Sequence, residues 1–212
     1  MPPSRFRAVI FDLGAVLIGL DWSASLERMS RSTPLPREAI LPAVEASGLV
    51  EPYEEGRLST GEFCVRMRKA LKLSATTEEF VRDWNDIFAR RPEMETLFLE
   101  VRRLAPVAIL SDTCPLHWER IREFAPPLAR PDFLGLSYEI GSRKPCAKNY
   151  LAAAQGLGVR PEACVFLDDR EGNVRGARLA GMEAFTYTSP AEARARVFAL
   201  LGMEGSGGGV TG

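Results

Sequence analysis

Short runs of apolar, often β-branched residues recur along the chain, and each gives way to a stretch with helical spacing. Residues 7–11 (RAVIF), 107–110 (VAIL) and 163–167 (ACVFL) are the strongest runs; 133–136 and 182–187 are weaker. A brief run with no polar alternation is the pattern of a strand buried on both faces. Apolar positions at helical spacing follow over 116–124, 147–156, 173–180 and 191–201. Strand alternating with helix predicts an α/β fold, a parallel sheet with helices on both faces.

The interval between the first two strong runs reads differently. From Trp22 to Arg103 helical periodicity dominates, no strand is convincing, and Pro34, Pro36, Pro42, Pro52 and Pro92 punctuate it. Amphipathic helices are expected over 37–46, 59–71 and 77–89, with Ser59, Thr60 and the nearby Glu62 marking a helix start. Phe63, Met67, Phe80, Trp84 and Phe88 recur at helical spacing and read as core, whereas Trp22, Tyr53 and Arg57 are candidates to face a cleft. The expected organisation is a core of residues 1–18 and 104–204, an inserted all-helical segment over 19–103, and a Gly-rich frayed tail over 205–212 (GSGGGVTG).

Composition narrows the function classes. With 46% hydrophobic and 26% charged residues the chain is an ordinary globular protein. Lys plus Arg number 27 against 28 Asp plus Glu, so no basic excess exists to neutralise a nucleic-acid backbone. No apolar run approaches the roughly 18 residues of a membrane helix; the best, residues 8–20, is broken by Asp12, Gly14 and Gly19. No secretory signal pattern is read at the N-terminus. Cys64, Cys114, Cys146 and Cys164 are scattered, and His117 is the single histidine, so no zinc site is expected and the thiols read as reduced in a cytoplasmic protein. The spaced glycines of dinucleotide-binding and Walker-type loops are missing.

In an open parallel sheet, ligands bind beyond the carboxyl ends of the strands. Asp12 follows the first run, Ser111, Asp112 and Thr113 the second, and Asp168 and Asp169 the third; Lys144 lies in the loop Gly141-Ser142-Arg143-Lys144-Pro145. Taken singly, each has a plain structural role available: turn, helix cap or surface charge. Together, adjacent carboxylates at a buried strand end need a cation or a lysine between them. An incomplete set of oxygen ligands suits Mg²⁺, with substrate phosphate and water filling the remainder.

These residues resemble the motifs of the haloacid dehalogenase-like (HAD) superfamily of hydrolases. The first motif matches Val9-Ile10-Phe11-Asp12-Leu13-Gly14-Ala15-Val16-Leu17 and the second Ile109-Leu110-Ser111-Asp112. The third matches Ser142-Arg143-Lys144-Pro145, and the fourth Val165-Phe166-Leu167-Asp168-Asp169 with Asn173-Val174-Arg175-Gly176-Ala177 behind it. The stretch Glu55-Gly56-Arg57-Leu58-Ser59 is similar to one in the caps of sugar-phosphatase-like members. The resemblance implies a Rossmann-like core with a helical cap. It also implies Asp12 as the nucleophile, becoming an aspartyl phosphate, and Mg²⁺ held by Asp12, the Gly14 carbonyl and Asp169, with Asp168 acting through water. Ser111, Asp112 and Lys144 would bind phosphate, Lys144 would neutralise the nucleophile, and Asn173 would position Lys144. The partner implied is a small phosphorylated metabolite, a sugar phosphate above all, with the protein a monomer or homodimer.

Two positions depart from the pattern. Asp112 stands where many relatives have Asn and adds a negative charge near the phosphate, which should weaken binding unless it points away or caps the helix. Phosphatases of this superfamily usually carry a second Asp two residues after the nucleophile to move the leaving-group proton, and here Gly14 stands there. Asp21 is a possible acid/base residue, or a helix cap before Trp22; His117 reads as surface or packing. Two other readings stand beside the phosphatase: a catalytically weak regulatory protein that binds phosphorylated ligands, and a 2-haloacid dehalogenase that uses Asp12 on carbon without metal.

Overall fold

The computed structural model describes residues 5–203. β1 (Ala8–Phe11) leads into a short strand, β2 (Ile18–Leu20), and then into five helices: α1 (Ser23–Ser30), α2 (Arg37–Ala46), α3 (Val50–Glu54), α4 (Thr60–Ala70) and α5 (Thr77–Asn85). β3 (Phe88–Arg90) and α6 (Pro92–Arg102) lead back to β4 (Val107–Ser111) and α7 (Pro115–Phe124). The rest is β5 (Phe133–Leu136), α8 (Ser137–Ile140), α9 (Ala147–Gly156), β6 (Cys164–Asp168), α10 (Glu171–Leu179), β7 (Glu183–Thr186) and α11 (Pro190–Leu200). The main sheet runs β5-β4-β1-β6-β7, and all its pairs are parallel.

The period of two along each strand splits the sheet's side chains between two layers. Val9, Phe11, Val107, Ile109, Val165 and Leu167 face a cluster with Phe98 and Val101 of α6, Ile121 of α7 and Val197 of α11. Ala8, Ile10, Ala108, Leu110 and Phe166 face the other way, against Tyr150 and Ala153 of α9 and Val174 and Ala177 of α10. Burial on both faces is why these strands carry no polar alternation. The helices α1 to α5 build a third cluster around Tyr53, Phe63, Met67, Phe80 and Trp84, in which Tyr53 stacks on Phe63 at 4.1 Å. Two capping boxes, Ser59 with Glu62 and Thr76 with Glu79, open α4 and α5.

The expected helix over 77–89 stops early, at Asn85. Phe88 continues the apolar spacing but belongs to β3, which pairs antiparallel with β2. Only a partner some 70 residues upstream in sequence decides that segment, and local periodicity cannot register it. So a two-stranded flap joins the inserted helices to the core. Helix α6 packs with the core layer through Met94, Leu97, Phe98 and Val101. The Gly-rich stretch 205–212 lies outside the described residues. No helix among the described residues is long and apolar enough to cross a membrane.

Candidate active site

The carboxyl ends of β1, β4 and β6 bring the chemistry together. Asp12 sits one residue past β1, its backbone N–H donating to Leu167 O at 2.9 Å. Ser111 and Asp168 are the last residues of β4 and β6, and all three side chains are buried. Across them lies Lys144. Its Nζ donates to Asp12 Oδ1 at 2.5 Å, to Asp168 Oδ2 at 2.7 Å and to Leu110 O at 2.9 Å. Three acceptors use the three N–H bonds of an ammonium, so the lysine is fixed in one pose.

Asp168 is as fully engaged. Besides Lys144, its oxygens accept from Arg170 N at 2.9 Å and from Asn173 Nδ2 at 3.0 Å to each oxygen. Asn173 therefore orients Asp168 directly and reaches Lys144 only through it, a more indirect arrangement than the sequence suggested. The Lys144 loop is held from its other side by Asp112, whose Oδ1 accepts the Lys144 N–H at 2.9 Å. The Thr113 N–H donates to Ser137 Oγ at 2.9 Å, and that hydroxyl donates back to Thr113 O at 3.0 Å.

Burial pushes the Asp12 carboxyl up to about 7; Lys144 opposes the shift, and Asp168 and Asp169 add to it. Burial also works against the Lys144 ammonium, but Asp12, Asp168 and Asp112 outweigh it and raise its pKa above the ordinary lysine value. Burial and then Asp168 raise the exposed Asp169. Asp12, Asp168 and Asp169 each offer a carboxylate oxygen within 4.8 Å of the others. Hard oxygen donors in an excess of negative charge fit a divalent cation such as Mg²⁺.

The family model for haloacid dehalogenase-like hydrolases matches residues 6–181. The chain belongs to that family. A D-ribitol-5-phosphate phosphatase of Bacteroides thetaiotaomicron is 25% identical over 206 residues, covering 92% of this chain and 98% of its own. A phosphatase of Mycobacterium tuberculosis is 30% identical over 195 residues, covering 88% and 89%. A HAD family enzyme of Bacteroides thetaiotaomicron, solved with magnesium and inorganic phosphate, superposes with a TM-score of 0.77 at 23% identity over 86% of this chain and 94% of that one, which shows the fold.

In this HAD-like hydrolase the carboxyl end of the sheet is roofed by the inserted helices and the flap. A cavity of about 160 Å³ borders Gly14, Ser111 and Asp112 and is closed from above by Trp22, Glu54 and Phe88. A larger one, about 680 Å³, runs on among α2, α3 and the loop after it; Trp22, Glu54 and His117 line both. Arg57 and Trp22 line the larger cavity as the sequence suggested, whereas Tyr53 is buried in the cap cluster. Gly56 docks the cap: with φ +70° its Cα lies so near α8 that an added Cβ would stand 2.4 Å from Tyr138 O.

Asp21 is not among the residues lining either cavity. It is exposed, and its Oδ1 accepts the Ser23 N–H at 2.8 Å at the start of α1. His117 is no surface group: its ring stacks on Trp84 at 5.4 Å, meets Phe88 edge-on, and donates from Nε2 to Trp84 O at 3.1 Å. Burial lowers its pKa to about 4, so the ring is neutral at ordinary pH. Sequence reasoning missed Glu54. Burial raises its carboxyl to about 7 while Arg143, 3.0 Å away, opposes the shift. Its signal was a second carboxylate beside the Glu55-Gly56-Arg57 stretch, and only the turn of α3 shows which of the two faces inward.

Proposed function

We propose that this protein is a Mg²⁺-dependent phosphatase that hydrolyses a small phosphorylated metabolite, a sugar or polyol phosphate, through an aspartyl-phosphate intermediate. The observation that carries the reading is the Lys144 ammonium held between Asp12 and Asp168 at the carboxyl end of the sheet. Such a pair presents a carboxylate nucleophile beside a fixed cation, which is what attack on an anionic phosphate ester requires. The relatives that act on ribitol 5-phosphate and, over a shorter match, on glyceraldehyde 3-phosphate support the substrate class. Aromatic Trp22 and carboxylate and guanidinium side chains in the larger cavity offer the apolar face and hydrogen-bonding groups that a polyol uses.

Asp12 attacks phosphorus while Lys144 neutralises its charge and that of the transferring oxygens. Ser111, with the backbone N–H groups that follow it, holds the phosphate. Asp112 contributes by fixing the Lys144 loop, since a carboxylate at that place adds no donor. Asp12 and Asp169, with the Gly14 carbonyl, would hold the metal, and Asp168, its oxygens already committed, would act from behind. A bound Mg²⁺ would offset the repulsion between carboxylate and phosphate. The four free thiols support a reducing, cytoplasmic setting.

The test is phosphate release from a panel of sugar and polyol phosphates, with Mg²⁺ and with chelator, alongside chloride release from a 2-chloro acid. Release that requires Mg²⁺ and vanishes in Asp12→Asn supports the reading. Chloride release without metal would favour the dehalogenase. Binding without turnover would favour the regulatory protein.

A further inference from the structure

Gly14 can move no proton, and a phosphatase of poor leaving groups needs a group that can. Resting on the phosphatase reading above, we propose that Glu54 of the cap is the general acid and base of this enzyme. Attack in line by Asp12 places the leaving oxygen on the far side of phosphorus, away from the sheet and toward the cap. There the small cavity over Gly14 and Ser111 adjoins the larger one, and Glu54 is one of the residues that line both.

The neighbouring groups leave this carboxyl free for the task. Arg143 Nε forms an ion pair with Glu54 Oε2 at 3.0 Å, yet its N–H is not aligned for a hydrogen bond and finds no hydrogen-bond partner. Around Glu54, burial raises the proton affinity, Arg143 and Arg170 lower it, and Asp112 and Glu51 raise it. The balance holds the group near neutrality, where a proton is given and taken back most effectively. Two rival groups are otherwise occupied. His117 donates its Nε2 proton to Trp84 O, and Asp21 accepts the Ser23 N–H in solvent, away from both cavities. Asp112 gives Oδ1 to the Lys144 N–H and keeps Oδ2 without a partner, so it is the rival that the experiment must separate from Glu54.

In the first half-reaction an Asp12 oxygen bonds to phosphorus, the ester P–O bond breaks, and its electron pair takes the proton of Glu54. The products are the free alcohol, aspartyl phosphate and Glu54 carboxylate. In the second, Glu54 takes a proton from water as the water oxygen bonds to phosphorus. The P–O bond to Asp12 breaks, its pair returns to the carboxylate, and Glu54 ends protonated. The sum is ester plus water giving alcohol plus phosphate.

The experiment compares wild type with Glu54→Gln, Glu54→Asp and Asp112→Asn on two esters: an alkyl polyol phosphate, and p-nitrophenyl phosphate, whose phenolate leaves unaided. Glu54→Gln should lose about 10²–10³-fold in kcat/KM on the alkyl ester and almost nothing in kcat/KM on the aryl ester. With the aryl ester it should show a burst of nitrophenol followed by slow turnover, because the base for the second half is gone. The descending limb of the pH profile on the alkyl ester should disappear. Gly14→Asp, whose Cβ would meet Leu20 Cδ1 at an ordinary 3.6 Å, should restore alkyl turnover in the Glu54→Gln background. Equal losses on both esters, no loss on either, or leaving-group selectivity appearing in Asp112→Asn instead would overturn the assignment. Glu54→Asp decides the matter should the glutamine variant fail to fold, retaining part of the alkyl activity if the proposal holds and none of the selectivity if not. A wild type that releases phosphate from neither ester would sink the phosphatase reading along with it; wild-type turnover with an indifferent Glu54 sinks this proposal alone.

Discussion

At the sheet ends Lys144 and Asp168 are saturated with hydrogen bonds; where cap meets core, buried polar groups are left without them. Lys144 spends all its donors on Asp12, Asp168 and Leu110 O, and Asp168 accepts from Lys144, Asn173 and Arg170. A few ångströms toward the cap, the buried Arg143 Nε and Asp112 Oδ2 lack partners, and Glu54 has an ion-pair contact in place of an aligned bond. Saturation holds the Asp12 carboxylate and Lys144 in one geometry, the kind of fixed charge arrangement in which preorganised electrostatics act. Unsatisfied groups at the roof cost stability and remain available to a bound molecule. Under the proposed phosphatase reading, the difference would give the common chemistry to the core and the choice of substrate to the junction.

The comparison breaks most sharply at Lys144. Lys144→Met should lower kcat/KM by about 10²–10³-fold on every phosphate ester alike. It also leaves the buried Asp12 and Asp168 without their cation, a change worth about 3–5 kcal/mol of stability. Steady-state kinetics and urea unfolding read both. A loss confined to one substrate would mean that the core, too, selects.

A smaller effect is expected on the cap side. Gly56→Val puts a side chain against Tyr138 O and into a left-handed backbone that costs a β-branched residue about 1–2 kcal/mol. The cap loop must rise, and misplacement on that scale should cost up to about 10²-fold in kcat/KM. The loss should differ between small and large substrates. Limited proteolysis should cut the cap sooner while the core resists; a variant with native kinetics and resistance would show that the contact is incidental.

The core was legible in sequence because its signals are local and mutually reinforcing. An apolar run followed at once by Asp12, Ser111 or Asp168 declares both the strand and its functional end, and the parallel sheet brings those ends together whatever lies between. The junction was less legible because its facts are relational. Phe88 kept helical spacing yet pairs with Leu20, Asn173 meets Asp168 before Lys144, and His117 looked peripheral until Trp84 and Phe88 closed on it. Glu54 and Glu55 are chemically alike in sequence, and only the docking of α3 sets one of them over the site.

That junction should also respond to acid. His117 has a folded pKa near 4 against an ordinary 6.5, so the unfolded chain takes up the proton first. Stability contributed by the neutral ring is therefore present above pH 6.5 and lost as pH falls from there toward 4, at up to about 1.4 kcal/mol per pH unit. Glu54 and Asp12, both raised to about 7, act in the opposite sense, their contributions being lost as pH rises, and offset the slope in wild type and variant alike. His117→Gln keeps a donor for Trp84 O and removes the titration. Between pH 7 and pH 5 its melting temperature should fall less than that of wild type by a few degrees. Parallel curves would show that the ring is more solvated than its packing implies.

The smallest effect lies far from the site, at the end of α4. Leu73 N donates to Arg68 O and Lys72 N to Lys69 O, the paired bonds of a helix that closes on a left-handed residue. The residue at that turn is Lys72, with φ +52°, where a glycine would carry no Cβ penalty. Lys72 is exposed and no ion pair or hydrogen bond of its side chain is found among the described residues. Lys72→Gly removes a strain of about 1 kcal/mol and gives part of it back through the greater freedom of glycine in the unfolded chain. The net gain should be some tenths of a kcal/mol in urea unfolding, with catalysis untouched. Because α4 belongs to the cap cluster, a change in kcat/KM from so remote a turn would mean that cap rigidity itself reaches the roof of the site, and the division between a fixed core and an adjustable junction would have to be drawn further out.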